Sequence, residues 1–271
     1  MISLTVLDTG YCTGLEAQVL RGGRRILLEF HALCFLLEHP THGFLLFDTG
    51  YSRHVLNALK QFPFQIQAAL TPTFHTEKES ARAQLLTLGL QPRDIKQVIV
   101  SHFHADHVGG LKDFPHSRII CSRNALEDSR SRSKLGLLRR GMLPGLVPED
   151  VGARARFVDT FEDAALPPLG ATHDLFGDGL LRLVPLPGHA KNQMGLLVHT
   201  RAGEILLASD GCYLSRNYRE NTPCSRALNA IADDVSAMTQ TVGNLHRLHR
   251  ERPVLRIWPT HCPEVLGEVG V

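Results

Sequence analysis

Residues 101 to 110 read Ser-His-Phe-His-Ala-Asp-His-Val-Gly-Gly, which puts three imidazoles (His102, His104, His107) and one carboxylate (Asp106) into six consecutive positions. Imidazole nitrogen binds zinc and other first-row metals, and a carboxylate among histidines favours a hydrated, catalytic ion over a closed structural one. The chemistry this spacing predicts is therefore metal binding. A chance cluster of surface histidines is the competing reading, and two glycines directly after four ligand-type side chains argue against it. Four ligands are too few for two ions, but three further apolar runs each deliver one more. Val184-Pro185-Leu186-Pro187-Gly188 ends at His189, Ile205 to Ser209 ends at Asp210, and Leu255 to Thr260 ends at His261. Singly each could be a loop residue. Together they repeat one pattern, a strand handing over a ligand at its end.

The elements that must position these residues follow from the flanking sequence. Gln97-Val98-Ile99-Val100 is a short β-branched run that reads as a buried strand, and Val108-Gly109-Gly110-Leu111 reads as a tight turn into a helix. The ligands then sit at the carboxyl end of a strand, where open α/β sheets place their sites. His102 and His104, at alternate positions, can point to one side, and Asp106-His107 can turn back to face them.

The ordered set HxHxDH at 102 to 107, then His189, Asp210 and His261, resembles the metallo-β-lactamase fold hydrolases with two metals. Asp48-Thr49-Gly50, after Phe44-Leu45-Leu46-Phe47, is similar to that family's earlier Asp-Thr-Gly strand end, and the resemblance spans about residues 25 to 262. It implies an α/β fold, an αββα sandwich of two mixed β-sheets flanked by helices. By the same resemblance His102, His104 and His189 hold one metal, Asp106, His107 and His261 the other, and Asp210 bridges. Two divalent ions about 3.5 to 4 Å apart can share a hydroxide and polarise a substrate carbonyl. Zinc leads, with iron, manganese and cobalt open. Asp48 resembles a carboxylate that orients a ligand imidazole; its other reading is a strand-end turn former.

Tyr213 stands three positions after Asp210, and N-acyl homoserine lactone lactonases of this fold carry a tyrosine at that offset. The resemblance thus implies opening of a lactone or related carboxylic ester by hydroxide attack. Tyr213 would donate to the oxyanion and Asp106 would pass a proton to the leaving alkoxide. A thioesterase of secondary metabolism, a phosphodiesterase and a non-catalytic metal-bound ligand sensor stay open, because one fold hosts many chemistries.

The rest of the chain bounds these readings. Its 271 residues suit one domain, 1 to 271. With 29 basic against 27 acidic residues, bulk charge recruits no nucleic acid. The expected partner is a small-molecule ester, lactone or thioester, and a homodimer is left open. No basic leader opens the sequence and no uncharged apolar run reaches membrane-spanning length, so a cytoplasmic protein is expected. The six cysteines form no CxxC pair and read as free buried thiols.

Two segments are candidates for substrate selection. Among the aromatic residues near 62 to 76, Phe62 reads as packing, while Phe64 and Phe74 either cover the site or pack beneath it. The segment Asn124 to Arg140 interleaves arginines with leucines. It is either a lid, with Leu137 and Leu138 receiving an acyl chain and Arg139 and Arg140 an anionic group, or a solvated helix with ordinary core leucines. Further on, Thr222-Pro223 reads as the start of a long helix whose stripe runs Leu228, Ile231, Val235, Met238, Val242, Leu245 and Leu248.

Overall fold

The central strands of this protein are apolar on both faces, and such strands must be covered on both sides. In the computed structural model, which describes residues 1–268, that cover comes from a second sheet on one side and helices on the other. The first sheet holds β1 (Ser3–Leu15), β2 (Leu27–His39), β3 (Gly43–Phe47), β4 (Thr73–Phe74), β5 (Ile95–Ile99), β6 (Arg118–Cys121) and β7 (Ala155–Phe157), in the order β4-β1-β2-β3-β5-β6-β7. The second holds β8 (His173–Asp174), β9 (Leu181–Pro185), β10 (Met194–Thr200), β11 (Gly203–Ser209) and β12 (Arg256–Pro259), in the order β12-β11-β10-β9-β8. Both are mixed: β3, β5, β6 and β7 run parallel, as do β11 and β12, and the other pairings are antiparallel.

Period-two alternation sorts the side chains between layers. Leu33, Phe35 and Leu37 of β2 meet Leu183, Leu196, Leu207 and Trp258 between the sheets. Their neighbours Cys34 and Leu36 face the opposite way, into the helical layer with Leu85, Leu111 and Leu126. On the outside of the second sheet, Leu197 and Leu206 pack against Met238, Val242, Leu245 and Leu248 of the helix Val235–Glu251. The result is the αββα sandwich of two mixed sheets. No helix among the described residues is long and apolar enough to cross a membrane.

Several helices differ from the sequence reading. The stripe from Leu228 to Leu248 is not one helix: Arg226–Asn229 forms one short turn, and the long helix starts only at Val235. Asp234 is its N-cap, accepting 2.9 Å from the Ala237 amide. The intervening amides of Asp233 and Asp234 are diverted to the carbonyls of His189 (3.0 Å) and Gly188 (2.9 Å). The break is thus the price of anchoring the loop that carries His189. That loop lies so close to the helix that a Cβ on Gly188, at φ +123°, would stand 2.0 Å from the Met238 nitrogen. The segment 124 to 140 is also divided, into Arg123–Ser131 and Lys134–Arg139, where Ser133 caps the Gly136 amide at 3.2 Å.

One buried charge ties the N-terminal sheet to the second half of the chain. Glu16, 2% exposed, accepts from Arg24 Nε (3.2 Å) and Nη2 (3.1 Å) and from Arg216 Nη1 (3.0 Å). Hydrogen bonds from the Arg24 side chain and backbone outweigh the effect of burial and hold its carboxyl down at about 2. The folded state therefore binds this proton less readily than the unfolded chain. Its stabilisation is complete above the ordinary Glu range near 4.5 and is lost as pH falls towards 2. Glu16→Gln should cost about 1 to 3 kcal/mol at neutral pH. Urea midpoints for the two proteins should converge as the pH is lowered from 5 to 3; a constant gap would show that the charge is not what matters.

Candidate metal centre

The ligand-type side chains meet where strand ends from both sheets converge. His102 follows β5, and His104 precedes the short helix Ala105–Val108, which carries Asp106 and His107. His189 follows β9, Asp210 follows β11 and His261 follows β12. One ligand atom from each of His102, His104, His189 and Asp210 lies within 4.8 Å of the others, and the same holds for Asp106, His107 and His261. Asp210 stands between the groups: its Oδ1 is 3.1 Å from His107 Nε2, and its Oδ2 is 3.2 Å from His189 Nε2 and 3.1 Å from His261 Nε2.

Close packing brings the motif helix to this position. A Cβ on Gly109 would lie 2.5 Å from the Gly50 carbonyl oxygen, and one on Gly110 would lie 2.8 Å from that of Thr49. The Thr49 hydroxyl and amide both bond the His107 carbonyl, at 3.0 and 2.8 Å. This close approach is why two glycines follow the ligands.

A buried polar chain then sets which imidazole nitrogens face inward. Asp48, wholly buried with φ +60°, accepts from His107 Nδ1 at 2.8 Å, from the Ser101 amide at 2.8 Å and from the Ser101 hydroxyl at 2.7 Å. Ser101 Oγ lies 3.0 Å from His102 Nδ1 and accepts from the Ser209 hydroxyl at 2.9 Å. His261 Nδ1 donates to the His31 carbonyl at 2.7 Å. With their Nδ1 atoms engaged, His102, His107 and His261 turn Nε2 towards the centre. Ser101 and Ser209 were missed by sequence reasoning; a serine directly before the first ligand histidine, and another before Asp210, are the signals that mark them.

The donor set fits metal ions. His102 Nε2 is buried with no hydrogen-bond partner among the described residues, and His107 Nε2 and Asp210 Oδ1, though 3.1 Å apart, do not meet hydrogen-bond geometry with each other or with another described group. Leaving such atoms unpaired costs about 1 to 3 kcal/mol each, and cations satisfy all of them together. Burial, followed by the neighbouring imidazole His107, lowers His102; burial also lowers His189, and it takes His104 to about 4, so these three are neutral lone-pair donors at pH 7. Burial opposes charge on His107 and His261 too, but the nearby carboxylates, Asp210 foremost, outweigh it and raise both. For Asp210 burial is again outweighed, by His261, His107 and His189, and the carboxyl is held well below its usual range.

Beside the second group opens a cavity of about 240 Å³ whose wall includes His104, Asp106, Tyr213 and His261. The Tyr213 ring lies 4.8 Å from the His261 ring and 5.6 Å from that of His189. Burial, then the charges of Asp210 and Asp106, push its phenol well above 10, so it stays a neutral donor. Apolar walls come from Val19, Phe30, Leu228 and Ile231, and Gln67 and Thr71 close one side. Val19, Phe30, Gln67 and Thr71 carry no signal in the sequence, and Leu228 and Ile231 read there only as part of a buried helical stripe.

The expected selectivity residues lie elsewhere. Phe64 is fully enclosed in the helical layer of the core, whereas Phe62, expected to pack, is 77% exposed. Phe74 is half exposed and stacks on Tyr11 at 5.1 Å. Leu137 and Leu138 pack into the core beneath the first sheet, Arg139 faces solvent, and none of residues 130 to 140 lines the cavity; only Gly141 reaches it. The physical reason is that the core takes up Leu137 and Leu138, and backbone carbonyls take up Arg140. Its guanidinium donates to the Ile231 (2.9 Å) and Ala232 carbonyls, in the stretch that forms the far cavity wall. Arg140→Ala should therefore lower stability by about 1 to 3 kcal/mol, while Arg139→Ala stays within about 0.5 kcal/mol. Thermal unfolding of both variants checks this, and an equal loss in the two would refute it.

A two-sheet α/β sandwich with His and Asp side chains gathered at its strand ends defines a metal-binding scaffold of one architectural class. The chain belongs to the metallo-beta-lactamase superfamily, whose family model matches residues 27–248. It is 26% identical over 236 residues to an N-acyl homoserine lactonase AttM of Azorhizobium caulinodans, covering 85% of this chain and 81% of the relative. It is 26% identical over 199 residues to the N-acyl homoserine lactonase AiiA of Bacillus thuringiensis subsp. kurstaki, covering 73% and 70%. In structure it is similar to an N-acyl homoserine lactone hydrolase with N-hexanoyl-L-homoserine bound at its catalytic metal centre, with a TM-score of 0.74 at 22% identity over 98% of this chain and 95% of that one. It is also similar to AidC, a dizinc quorum-quenching lactonase, with a TM-score of 0.68 at 15% identity over 97% and 88%.

Proposed function

We propose that this protein is a dinuclear metal-dependent hydrolase that opens a lactone ring, of the N-acyl homoserine lactone kind. The observation that carries this reading is the apolar cavity of about 240 Å³ ending on Asp106, His261 and Tyr213. His102, His104 and His189 would hold one ion, Asp106, His107 and His261 the other, and Asp210 both. Bound there, two divalent ions, zinc first and iron, manganese or cobalt as alternatives, supply a water of lowered pKa and a Lewis acid for the ester carbonyl.

The chain's own groups do the rest. Val19, Phe30, Leu228 and Ile231 take the acyl substituent and exclude water from around it. Tyr213 donates its hydroxyl to the carbonyl oxygen as negative charge develops there. Asp106, whose Oδ2 is 3.4 Å from His261 Nε2, takes the proton of the attacking water. When the acyl–oxygen bond of the ring breaks, it returns that proton to the alkoxide, giving the open hydroxy acid. Six free thiols suit a reducing compartment, and we infer a cytoplasmic enzyme.

Metal analysis combined with a panel of lactones, thioesters and phosphodiesters tests this. N-acyl homoserine lactones should be the best substrates, and chelation should abolish turnover that added zinc restores. Turnover confined to thioesters or phosphodiesters would reassign the substrate, and full metal occupancy with no turnover would indicate a ligand sensor.

A further inference from the structure

The wall of the cavity beside the metal centre is not uniformly apolar. Thr73, Cys12 and Phe30 stand side by side on the neighbouring strands β4, β1 and β2, and all three line the cavity together with Tyr51. The Tyr51 phenol lies against the Cys12 thiol and the Thr73 side chain. The chain is built to hold it there. Tyr51 follows Gly50, which at φ +63° comes so close to Thr9 that a Cβ would stand 2.1 Å from the Thr9 Oγ1. The Thr9 hydroxyl donates to the Ala32 carbonyl at 2.6 Å and accepts from the Tyr51 amide at 2.8 Å. The turn that carries Tyr51 is thereby fastened to β2, and the ring is fixed in the cavity wall.

The protons of this polar patch are not all placed by the protein. Thr73 Oγ1 donates to the Thr71 carbonyl at 3.3 Å, and Thr71 Oγ1 donates to the Gln67 carbonyl at 3.0 Å. The Tyr51 phenol and the Cys12 thiol keep theirs at neutral pH. Burial, then the charge on Asp106, pushes Cys12 up to about 12, and burial, the Cys12 thiol and Asp106 hold Tyr51 well above 10. Sulfur is a weak acceptor, so the phenol proton is free to turn to a better oxygen brought in by an occupant. We propose that Tyr51, assisted by Cys12, sets the specificity of this site by donating to an oxygen carried on the acyl substituent, so that oxo-acyl lactones are preferred to plain alkyl ones. This rests on the lactone reading above. The oxygen is a neutral one, because a carboxylate would meet the charge on Asp106 in the same wall. Phe30 and Val19, which also line the cavity, pack against the methylenes of the same chain.

Hydrolysis of N-hexanoyl, N-(3-oxohexanoyl) and N-(5-oxohexanoyl) homoserine lactones by the zinc-loaded full chain tests this. At least one oxo lactone should exceed the hexanoyl lactone in kcat/KM by about three- to tenfold, the scale of one neutral hydrogen bond, and the difference should lie in KM. In Tyr51→Phe that ratio should fall to about one, with zinc content and melting temperature at wild-type values. Cys12→Ala, which leaves the ring in place, should lower the ratio by a smaller factor, and it carries the test if Tyr51→Phe does not fold. Tyr213→Phe, by contrast, should slow all three lactones alike and leave the ratio standing. Equal kcat/KM for the three lactones, or a preference that survives both Tyr51→Phe and Cys12→Ala, would overturn the proposal while lactone hydrolysis stands. Turnover of none of the three would instead overturn the lactone reading, and the proposal with it.

Discussion

Replacing Asp210 with alanine is expected to lower bound metal from about two equivalents to one or fewer and to reduce kcat/KM by about a thousandfold or more, the scale of losing a metal-organised nucleophile. Asp210 is 1% exposed, and its two oxygens lie within 3.2 Å of nitrogens from His107, His189 and His261. His107 arrives on the short helix after β5, and His189 and His261 follow the ends of β9 and β12, so this carboxylate stands between the two groups of ligand-type side chains. It is also a buried negative charge that offsets the imidazoles of His107 and His261, and an uncompensated buried charge is expensive. Asp210→Asn, which keeps the size and removes the charge, separates the two contributions: metal should still be weakened, with less loss of thermal stability than in the alanine variant. Two full metal equivalents together with wild-type turnover in Asp210→Ala would falsify the bridging role.

The second large effect concerns Tyr213. Tyr213→Phe should lower kcat by roughly tenfold to a thousandfold while metal content and melting temperature stay at wild-type values. The ring itself packs against His261 and His189 and meets Phe30 at 6.5 Å, and phenylalanine preserves all three contacts. What is removed is one neutral donor in the cavity wall, kept protonated by burial and by the adjacent carboxylates. Because a donor aimed at developing charge acts mainly in the transition state, KM should move little. Unaltered kinetics on the best lactone would return Tyr213 to a packing role and shift attention to the other polar groups of the wall, Gln67 and Thr71.

These two residues differ in how they could be recognised. Asp210 ends an apolar run as a single acidic residue, a pattern visible along the chain, whereas Tyr213 stands out only through the family resemblance, at its offset from Asp210. Arg139 and Arg140 illustrate the opposite case. Their charge beside leucines makes them candidates for an anionic group of the substrate, but Arg140 holds the Ile231 and Ala232 carbonyls, and Arg139 faces water. A charge in sequence carries no information about whether a carbonyl or a substrate will be its partner.

By itself the sequence determined the strands that carry the site and marked seven ligand-type positions as candidates, because both are written in local signals, while the two-sheet sandwich was what the family resemblance implied. Strands such as Val98-Ile99 and Leu206-Leu207 declare themselves by β-branched or apolar runs, and the candidate ligands are His and Asp residues that follow such runs. Tertiary structure alone decided which apolar residues bound a cavity and which fill the core. Phe64 and Phe30 are the same residue type, and one is enclosed while the other lines a pocket with Val19, Leu228 and Ile231. Whether empty space remains beside a side chain depends on segments about two hundred residues apart closing around it. Likewise the helix expected from Thr222 breaks before Val235 because the amides of Asp233 and Asp234 bond the His189 loop, a partner that lies some forty-five residues earlier in the chain and is invisible to any helical periodicity.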